Sequence, residues 1–326
     1  MSTINWGIIG CGNVTEKKSG PAFSKVEGSN LKAVMRRNGE KAKDYATRHN
    51  VEKWYDDADQ MMDEAGIDAV YIATPPANHL EYAISALKRG LPVYVEKPVT
   101  RNAVEAEQMA AAVKQYNGRL TVAHYRRGVP MFLFIKDLLQ KQVIGDIRTI
   151  QIRLWQSRKP GLVADVETNW RVNPAISGGG YFHDLAPHQL DLLLYWFGEP
   201  EYYTGFSLNQ SGIYQADDNV NGQIVFKNKI VVSGSWCFDV AEQENIDLCE
   251  IVGTKGKISF AFFGTYVRWY NEHEQHHEEF THPQHIQQPM IERIVAYLNG
   301  KGPNPCTIEE AIVTMKIIDA FTGRRF

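Results

Sequence analysis

The sequence predicts an α/β domain with a doubly wound sheet, followed by an α+β domain with a large, mostly antiparallel open sheet. Three observations carry this. Short apolar runs alternate with helical segments through the first 123 residues, the pattern of strands buried on both faces by crossover helices. Beyond Gly128 the strands lengthen and alternate polar with apolar residues, as in Ile147–Trp155, which marks a sheet with two unlike faces. A chain of 326 residues suits two domains, expected at 1–123 and 124–326.

The first apolar run, Ile4–Gly10, ends in Gly10-Cys11-Gly12. The two glycines allow a tight turn and a close backbone approach to a pyrophosphate. A helix is expected from near Val14 and Thr15, with its N-terminal amides facing that anion. Thr15 stands where a GxGxxG pattern has its third glycine. Leu31–Met35 reads as the second strand, about 20 residues on, where the ribose is recognised. Its end carries Arg36-Arg37-Asn38 instead of the acid that favours NAD. An arginine holds a 2′-phosphate through paired charge-assisted bonds, so NADP is expected in preference to NAD. The plainer readings are a solvated pair capping a helix, or Arg37 stacked on adenine without discrimination.

Glu40–His49 reads as a helix, Trp54-Tyr55 as a short strand and Asp57–Glu64 as a helix opened by acids, as the helix dipole favours. Ala69–Ala73 is a buried strand stopped by Thr74-Pro75-Pro76. A helix runs from about Asn78 to Leu87, closed by Gly90. The strand Val93–Val95 leads into Glu96-Lys97-Pro98. Lys97 then sits just past the carboxyl end of a strand, where open α/β sheets bind ligands, although a lysine in a loop is by default only solvated. Pro98 turns the chain out of the sheet and permits a cis peptide. Asn102 caps a helix to about Tyr116, and Leu120–Ala123 is the sixth strand. Thr74, Pro75 and Lys97 are expected around one dinucleotide cleft.

In the second domain a helix is expected at Met131–Lys141 and a loop at Gln156–Asn173. Strands are expected at Tyr202–Leu208, Val220–Phe226, Ile230–Trp236, Asp247–Val252, Lys257–Phe262 and Tyr266–Tyr270, then helices at Gln284–Leu298 and Thr307–Phe321. Such a sheet needs its second face covered, which predicts a homodimer or homotetramer. The stretch from Gly178-Gly179-Gly180 to Asp191 is chemically dense. Asp184 and His188, four apart, share one helix face. Asp191 reads better as an ion-pair or capping partner.

A net charge of −3 and a pI near 6.4 give no reason to expect nucleic acid or anionic membrane as a partner. No apolar run reaches the ~20 residues that span a bilayer. Met1–Trp6 runs straight into a strand, and Cys11, Cys237, Cys249 and Cys306 are scattered without metal spacing. A cytoplasmic protein with reduced thiols and no metal is expected. The run His273–Glu279 reads as a solvated hairpin, since strand alternation separates His276 from His273 and His277.

On Gly7-Ile8-Ile9-Gly10-Cys11-Gly12, Glu96-Lys97-Pro98, Trp170-Arg171 with the glycine triplet, and Asp184 followed by His188, the chain resembles the glucose–fructose oxidoreductase / inositol dehydrogenase / MocA family over nearly its whole length. The resemblance implies a Rossmann domain, a nicotinamide cofactor, a sheet-based substrate domain and catalytic roles for Lys97, Asp184 and His188. It implies cofactor contacts from Gly10, Gly12, Asn13, Val14, Arg36, Arg37, Thr74, Pro75, His79, Glu96 and Lys97, with Trp170 and Arg171 near the nicotinamide or substrate. The segment His124-Tyr125-Arg126 is similar to the family's entry into the substrate domain. Tyr125, Arg126, Trp155, Arg158, Trp170, Arg171, Tyr181 and His183 suit a sugar, sugar derivative or cyclic polyol, with aromatics for ring faces and donors for hydroxyls. Two other activities are compatible: a glycosidase that transiently oxidises its sugar with held NAD, and a non-catalytic NADP-binding sensor.

Overall fold

The computed structural model describes residues 2–158, 160–163 and 169–323. The expected loop 156–173 therefore lies partly outside the described residues. The chain folds into two compact units. The first comprises residues up to Val129 together with Pro283–Met315, the second Pro130–His282 together with residues from Lys316 on. This differs from a single break at 123/124 chiefly in the return of Pro283–Met315 to the first unit.

In the first unit the elements are β1 (Ile4–Ile9), α1 (Asn13–Lys17), α2 (Gly20–Phe23), β2 (Ser29–Met35), α3 (Gly39–His49), β3 (Lys53–Tyr55), α4 (Ala58–Glu64), β4 (Ala69–Ile72), α5 (His79–Lys88), β5 (Val93–Val95), α6 (Ala103–Gln115) and β6 (Leu120–Val122). The six strands form one sheet in the order β3-β2-β1-β4-β5-β6, parallel throughout. Side-chain caps open α3, α4 and α6: Asn38 accepts from Lys41 N, Asp57 from Gln60 N and Asn102 from Glu105 N. β6 is an edge strand, and the returning segment covers it. Val122 N donates to Cys306 O at 3.0 Å, and Asn304 Nδ2 donates to Leu120 O at 2.7 Å. An open edge is thereby closed to stray strand pairing.

The second unit contains α7 (Pro130–Gln140), β7 (Ile147–Trp155), α8 (Pro174–Ser177), α9 (Gly180–Phe197), β8 (Pro200–Leu208), β9 (Asn219–Phe226), β10 (Val231–Cys237), β11 (Ile246–Gly253), β12 (Lys257–Phe260), β13 (Tyr266–Tyr270) and β14 (Gln275–Glu279). Two helices follow, α10 (Gln288–Leu298) in the first unit and α11 (Ile308–Thr322), whose residues from Lys316 belong to the second. The eight strands lie in the order β14-β13-β12-β11-β7-β10-β9-β8. Their pairing is antiparallel except between β7 and β10. The run expected as a solvated hairpin supplies the outermost strand, β14. Its histidines lie on aromatic rings, His276 on Trp269 at 4.4 Å and His277 on Tyr266 at 5.7 Å. Among the described residues no group of three His, Cys, Asp or Glu side chains is arranged for a metal, and no helix is long and apolar enough to cross a membrane.

The two faces of this sheet differ as the alternation predicts. Ile150, Ile152 and Leu154 are buried, and α9 packs on their side, with Phe182 5.1 Å from Trp236. Gly205 and Gly222 sit opposite each other on β8 and β9 and form a seat for Phe321. A Cβ built at Gly222 falls 2.2 Å from the Phe321 ring. Replacing Gly222 with Ala is therefore expected to overpack this contact at a cost of roughly 1–3 kcal/mol. Thermal unfolding should shift down by several degrees; an unchanged midpoint would show that the ring yields freely.

Candidate active site

Because the first sheet is parallel, the carboxyl ends of its strands finish at one edge. Ile9 pairs with both Met35 and Ile72, and Ile72 with Val95. The residues just beyond, Gly10, Arg36, Ala73-Thr74 and Glu96-Lys97, emerge level with one another. Gly10 has φ +95°, and an added Cβ there meets Thr74 N at 2.8 Å, so only glycine fits this turn. Gly10 N and Cys11 N both donate to Met35 O, at 2.9 and 3.1 Å. At Gly12 an added Cβ meets nothing closer than Gly10 O at 3.9 Å, so the space over that backbone is open. Burial pushes the Cys11 thiol up to about 12 despite the nearby Arg36 cation, which makes it an inert core group.

Thr15, the departure from the glycine pattern, is fully buried. Its hydroxyl donates to Gly12 O at 2.8 Å, and its carbonyl accepts from Tyr45 OH at 2.9 Å. A third glycine lets a long helix lie close to the sheet. Here α1 lasts only five residues, and the threonine braces the turn. Arg36 is half-buried, its Nη1 3.5 Å from Cys11 O, which lays the guanidinium over the turn. Arg37 is exposed. Asn38, not either arginine, caps α3.

Lys97 is half-buried at the end of β5, and the Lys97–Pro98 peptide is cis. Glu96 is buried. Its Oε2 accepts from Lys97 N at 3.1 Å, and its Oε1 accepts from Tyr71 OH and from Gln287 Nε2 at 2.6 Å. Burial and the adjacent Glu96 charge raise the Tyr71 phenol well above its ordinary value, so it stays a donor. His79 is buried, its Nε2 2.7 Å from Thr74 O and its Nδ1 3.1 Å from both Pro98 O and Val99 O. It ties the ends of β4 and β5 together, and burial holds it below the usual histidine range.

In the second unit the glycine triplet opens α9. Gly178 and Gly180 have φ +95° and +85°. A Cβ at Gly179 would lie 2.2 Å from the His183 ring, so the triplet seats His183 directly on backbone. Asp184 accepts from Arg171 Nε at 2.8 Å. The arginine side chain is 6% exposed and the aspartate 17%, so this ion pair is largely shielded from solvent. The Arg171 guanidinium also lies 4.6 Å from the Trp170 ring. One turn on, His188 is 4% exposed, with the Phe263 ring edge-on at 5.8 Å. The turn bearing Phe263 is held by Asp247, whose carboxylate accepts from Phe262 N at 3.1 Å and Phe263 N at 2.6 Å.

Two family models match. Residues 4–124 match the NAD-binding Rossmann fold of the GFO/IDH/MocA oxidoreductases, and residues 132–259 match the GFO/IDH/MocA C-terminal domain. The chain belongs to this family. It is 47% identical over 322 residues to Oxidoreductase P35 of Formosa agariphila, covering 99% of each chain. It is 28% identical over 208 residues to the scyllo-inositol 2-dehydrogenase (NADP(+)) IolW of Bacillus subtilis, covering 63% of this chain and 54% of that one. Its fold matches the crystal structure of aldose–aldose oxidoreductase from Caulobacter crescentus with TM-score 0.85 at 21% identity, over 98% and 96% of the two chains.

As a GFO/IDH/MocA oxidoreductase the chain is an NAD(P)-dependent dehydrogenase or reductase, and the first unit fits a dinucleotide. The backbone at Gly12 is open, with nothing nearer than 3.9 Å to an added Cβ. Thr74 Oγ1 is buried without a hydrogen-bond partner among the described residues, a polar group left at the same strand edge. Asn13 and Val14 open α1 beside it, and Pro75 carries the chain out of β4 in an extended conformation. Tyr125 and Arg126 are buried in a short 3-10 turn after β6, the guanidinium 5.6 Å from the phenol ring. Tyr181 is buried, its OH accepting from Asn169 Nδ2 at 2.8 Å.

Not all the expected substrate residues share one neighbourhood. Trp155 lies on the face of the second sheet opposite α9, its indole donating to Ser235 Oγ at 3.1 Å. It pairs in register with Cys237, not with the buried Trp236. Alternation along β7 carried this signal. Arg158 is exposed and donates to Asp239 at 2.5 Å. Sequence reading missed Gln287, for which no local signal exists, and missed that Arg171 and Asp184 pair with each other.

Proposed function

We propose that this chain transfers hydride between a nicotinamide cofactor, preferably NADP, and a hydroxyl-bearing carbon of a sugar or cyclic polyol. The observation that carries the reading is the strand edge on which Gly10, Arg36, Thr74 and Lys97 emerge level. That edge supports the reading because it brings a lysine to the same border as the glycine turn. The substrate class is supported by the similarity to an enzyme named for scyllo-inositol.

When bound, the cofactor supplies the hydride-accepting or hydride-donating carbon. Lys97 binds the reacting oxygen and stabilises negative charge that develops on it. His188 moves the proton, since imidazole is the side chain suited to do so near neutral pH. Asp184, held in one orientation by Arg171, accepts a hydrogen bond from a neighbouring substrate hydroxyl. Arg36 takes the 2′-phosphate of NADP as a planar donor. The second sheet's uncovered face, with Tyr202 58%, Phe206 38% and Val231 38% exposed, is the surface through which two copies associate. On β8–β10 these side chains share the face that alternates away from the core.

Three outcomes are expected. In a panel of sugars and cyclic polyols read by absorbance of the reduced cofactor, Lys97→Met lowers kcat by about 10²–10³-fold with NADPH affinity nearly intact; undiminished turnover would remove Lys97 from the chemistry. Arg36→Ala weakens NADPH binding by about tenfold or more while NADH binding changes little, and an equal loss for both would deny it a selective role. Light scattering gives a dimer or tetramer for the natural chain and a monomer for the Tyr202→Glu, Phe206→Glu variant. A natural monomer would rule out self-association through the sheet.

A further inference from the structure

The returning segment brings one buried polar side chain to the strand edge. Gln287 is 1% exposed. Its Nε2 donates to Glu96 Oε1 at 2.6 Å, its Oε1 lies 3.5 Å from Tyr94 OH, and its backbone N donates to Lys18 O at 3.3 Å. Glu96, itself 6% exposed, receives hydrogen bonds among the described residues from Tyr71 OH, Gln287 Nε2 and Lys97 N. All three donors are neutral. A carboxylate buried on neutral donors is costly to keep, and an apolar residue would fill the space without that cost. What the carboxylate adds is direction. Gln287 and Tyr71 both take Oε1, which turns Oε2 to the backbone amide of Lys97. That amide lies beyond the last residue of β5, where the sheet ladder no longer fixes the chain. Beneath the carboxylate, Trp6, Phe23, Tyr71 and Tyr94 pack ring on ring at 5.0 to 6.5 Å, so Tyr71 presents its hydroxyl from a fixed platform.

We propose that Gln287 is a positioning residue for Lys97, acting through Glu96. The proposal rests on the reading of Lys97 as the group that binds the reacting oxygen, and it gives the distant segment at 283–290 a part in that site. With Gln287 or Tyr71 removed, Oε1 loses a donor. The loosened carboxylate is then expected to swing toward the ammonium of Lys97, the next residue in the chain.

The test needs no substrate. The full-length protein is trace-labelled with acetic anhydride at fixed pH, and the acetylation rate of Lys97 is read by peptide mass spectrometry against the exposed Lys88 and Lys114. Gln287→Met and Tyr71→Phe are each expected to slow Lys97 by about threefold, the factor of one added ion pair at a half-buried site, with the reference lysines unmoved. With Glu96→Gln already in place, Gln287→Met should change nothing further, because its effect runs through the carboxylate. A general loosening of the fold would move all three lysines and would persist in that background. Should Gln287→Met not fold, Tyr71→Phe deletes one hydroxyl under an intact ring stack and carries the comparison. Lys97 rates at the natural value in both single variants, or an equal effect of Gln287→Met with and without Glu96, would overturn the proposal. If Lys97→Met turns over normally, the catalytic reading fails while the labelling result stands. If Lys97→Met is dead and the labelling is flat, only the positioning claim fails.

Discussion

All six strands of the first sheet run the same way, and the rest of that unit depends on this. Parallel pairing forces every strand to end at the same edge, and each turn into the following helix falls there. Residues at 10, 36, 74 and 97, far apart in the chain, become neighbours for that reason alone. The individual side chains then refine what the sheet makes possible. Gly10 has the backbone freedom to turn under Thr74, Thr15 braces the turn, and His79 ties together the segments that follow β4 and β5. Glu96 extends the order one residue past the end of its strand.

The second unit solves a different problem. Its sheet is broad and mostly antiparallel, so the faces are distinguished by alternation instead of by direction. One face takes α9 and the ring of Phe321, and two glycines opposite each other keep that ring close. Asp184 on α9 pairs with Arg171 from the turn at Trp170–Val172, and the pair is mostly sheltered from water. Breaking an ion pair shielded in this way is costly, so the two behave as a unit. His188 packs edge-on against the Phe263 ring, whose turn is clamped by Asp247.

The sequence was informative where local chemistry decides. The strands at Ile4, Ala69 and Val93 follow from apolar runs, and their ends from glycine or proline. Asn38, Asp57 and Asn102 are caps by residue type and position. Asp184 and His188 follow from helical spacing. What escaped was set by distance along the chain. No local pattern shows that residues 304–306 cover the edge at β6 or that Gln287 reaches Glu96, 191 residues away. Nor does spacing pair Arg171 with Asp184, since the connection between them is irregular. Trp155 was a readable miss, because the alternation that buries Leu154 already assigns the tryptophan to the other face. The charged run at Gln275–Glu279, read as a solvated hairpin, does pair antiparallel with β13 as one.

The covering of β6 by residues 304–306 bears on how the molecule is made. A ribosome emits the chain from its amino end, so the six parallel strands emerge well before the piece that closes their edge. Glu96 lacks one of its donors until residue 287 has been synthesised, and until about residue 306 β6 presents an unsatisfied backbone to whatever is nearby. The dinucleotide-binding half is therefore the first to be translated and among the last to be finished. A shortened gene product ending near residue 129 would carry every strand of that half and still expose a sticky border, which makes self-adhesion its natural fate.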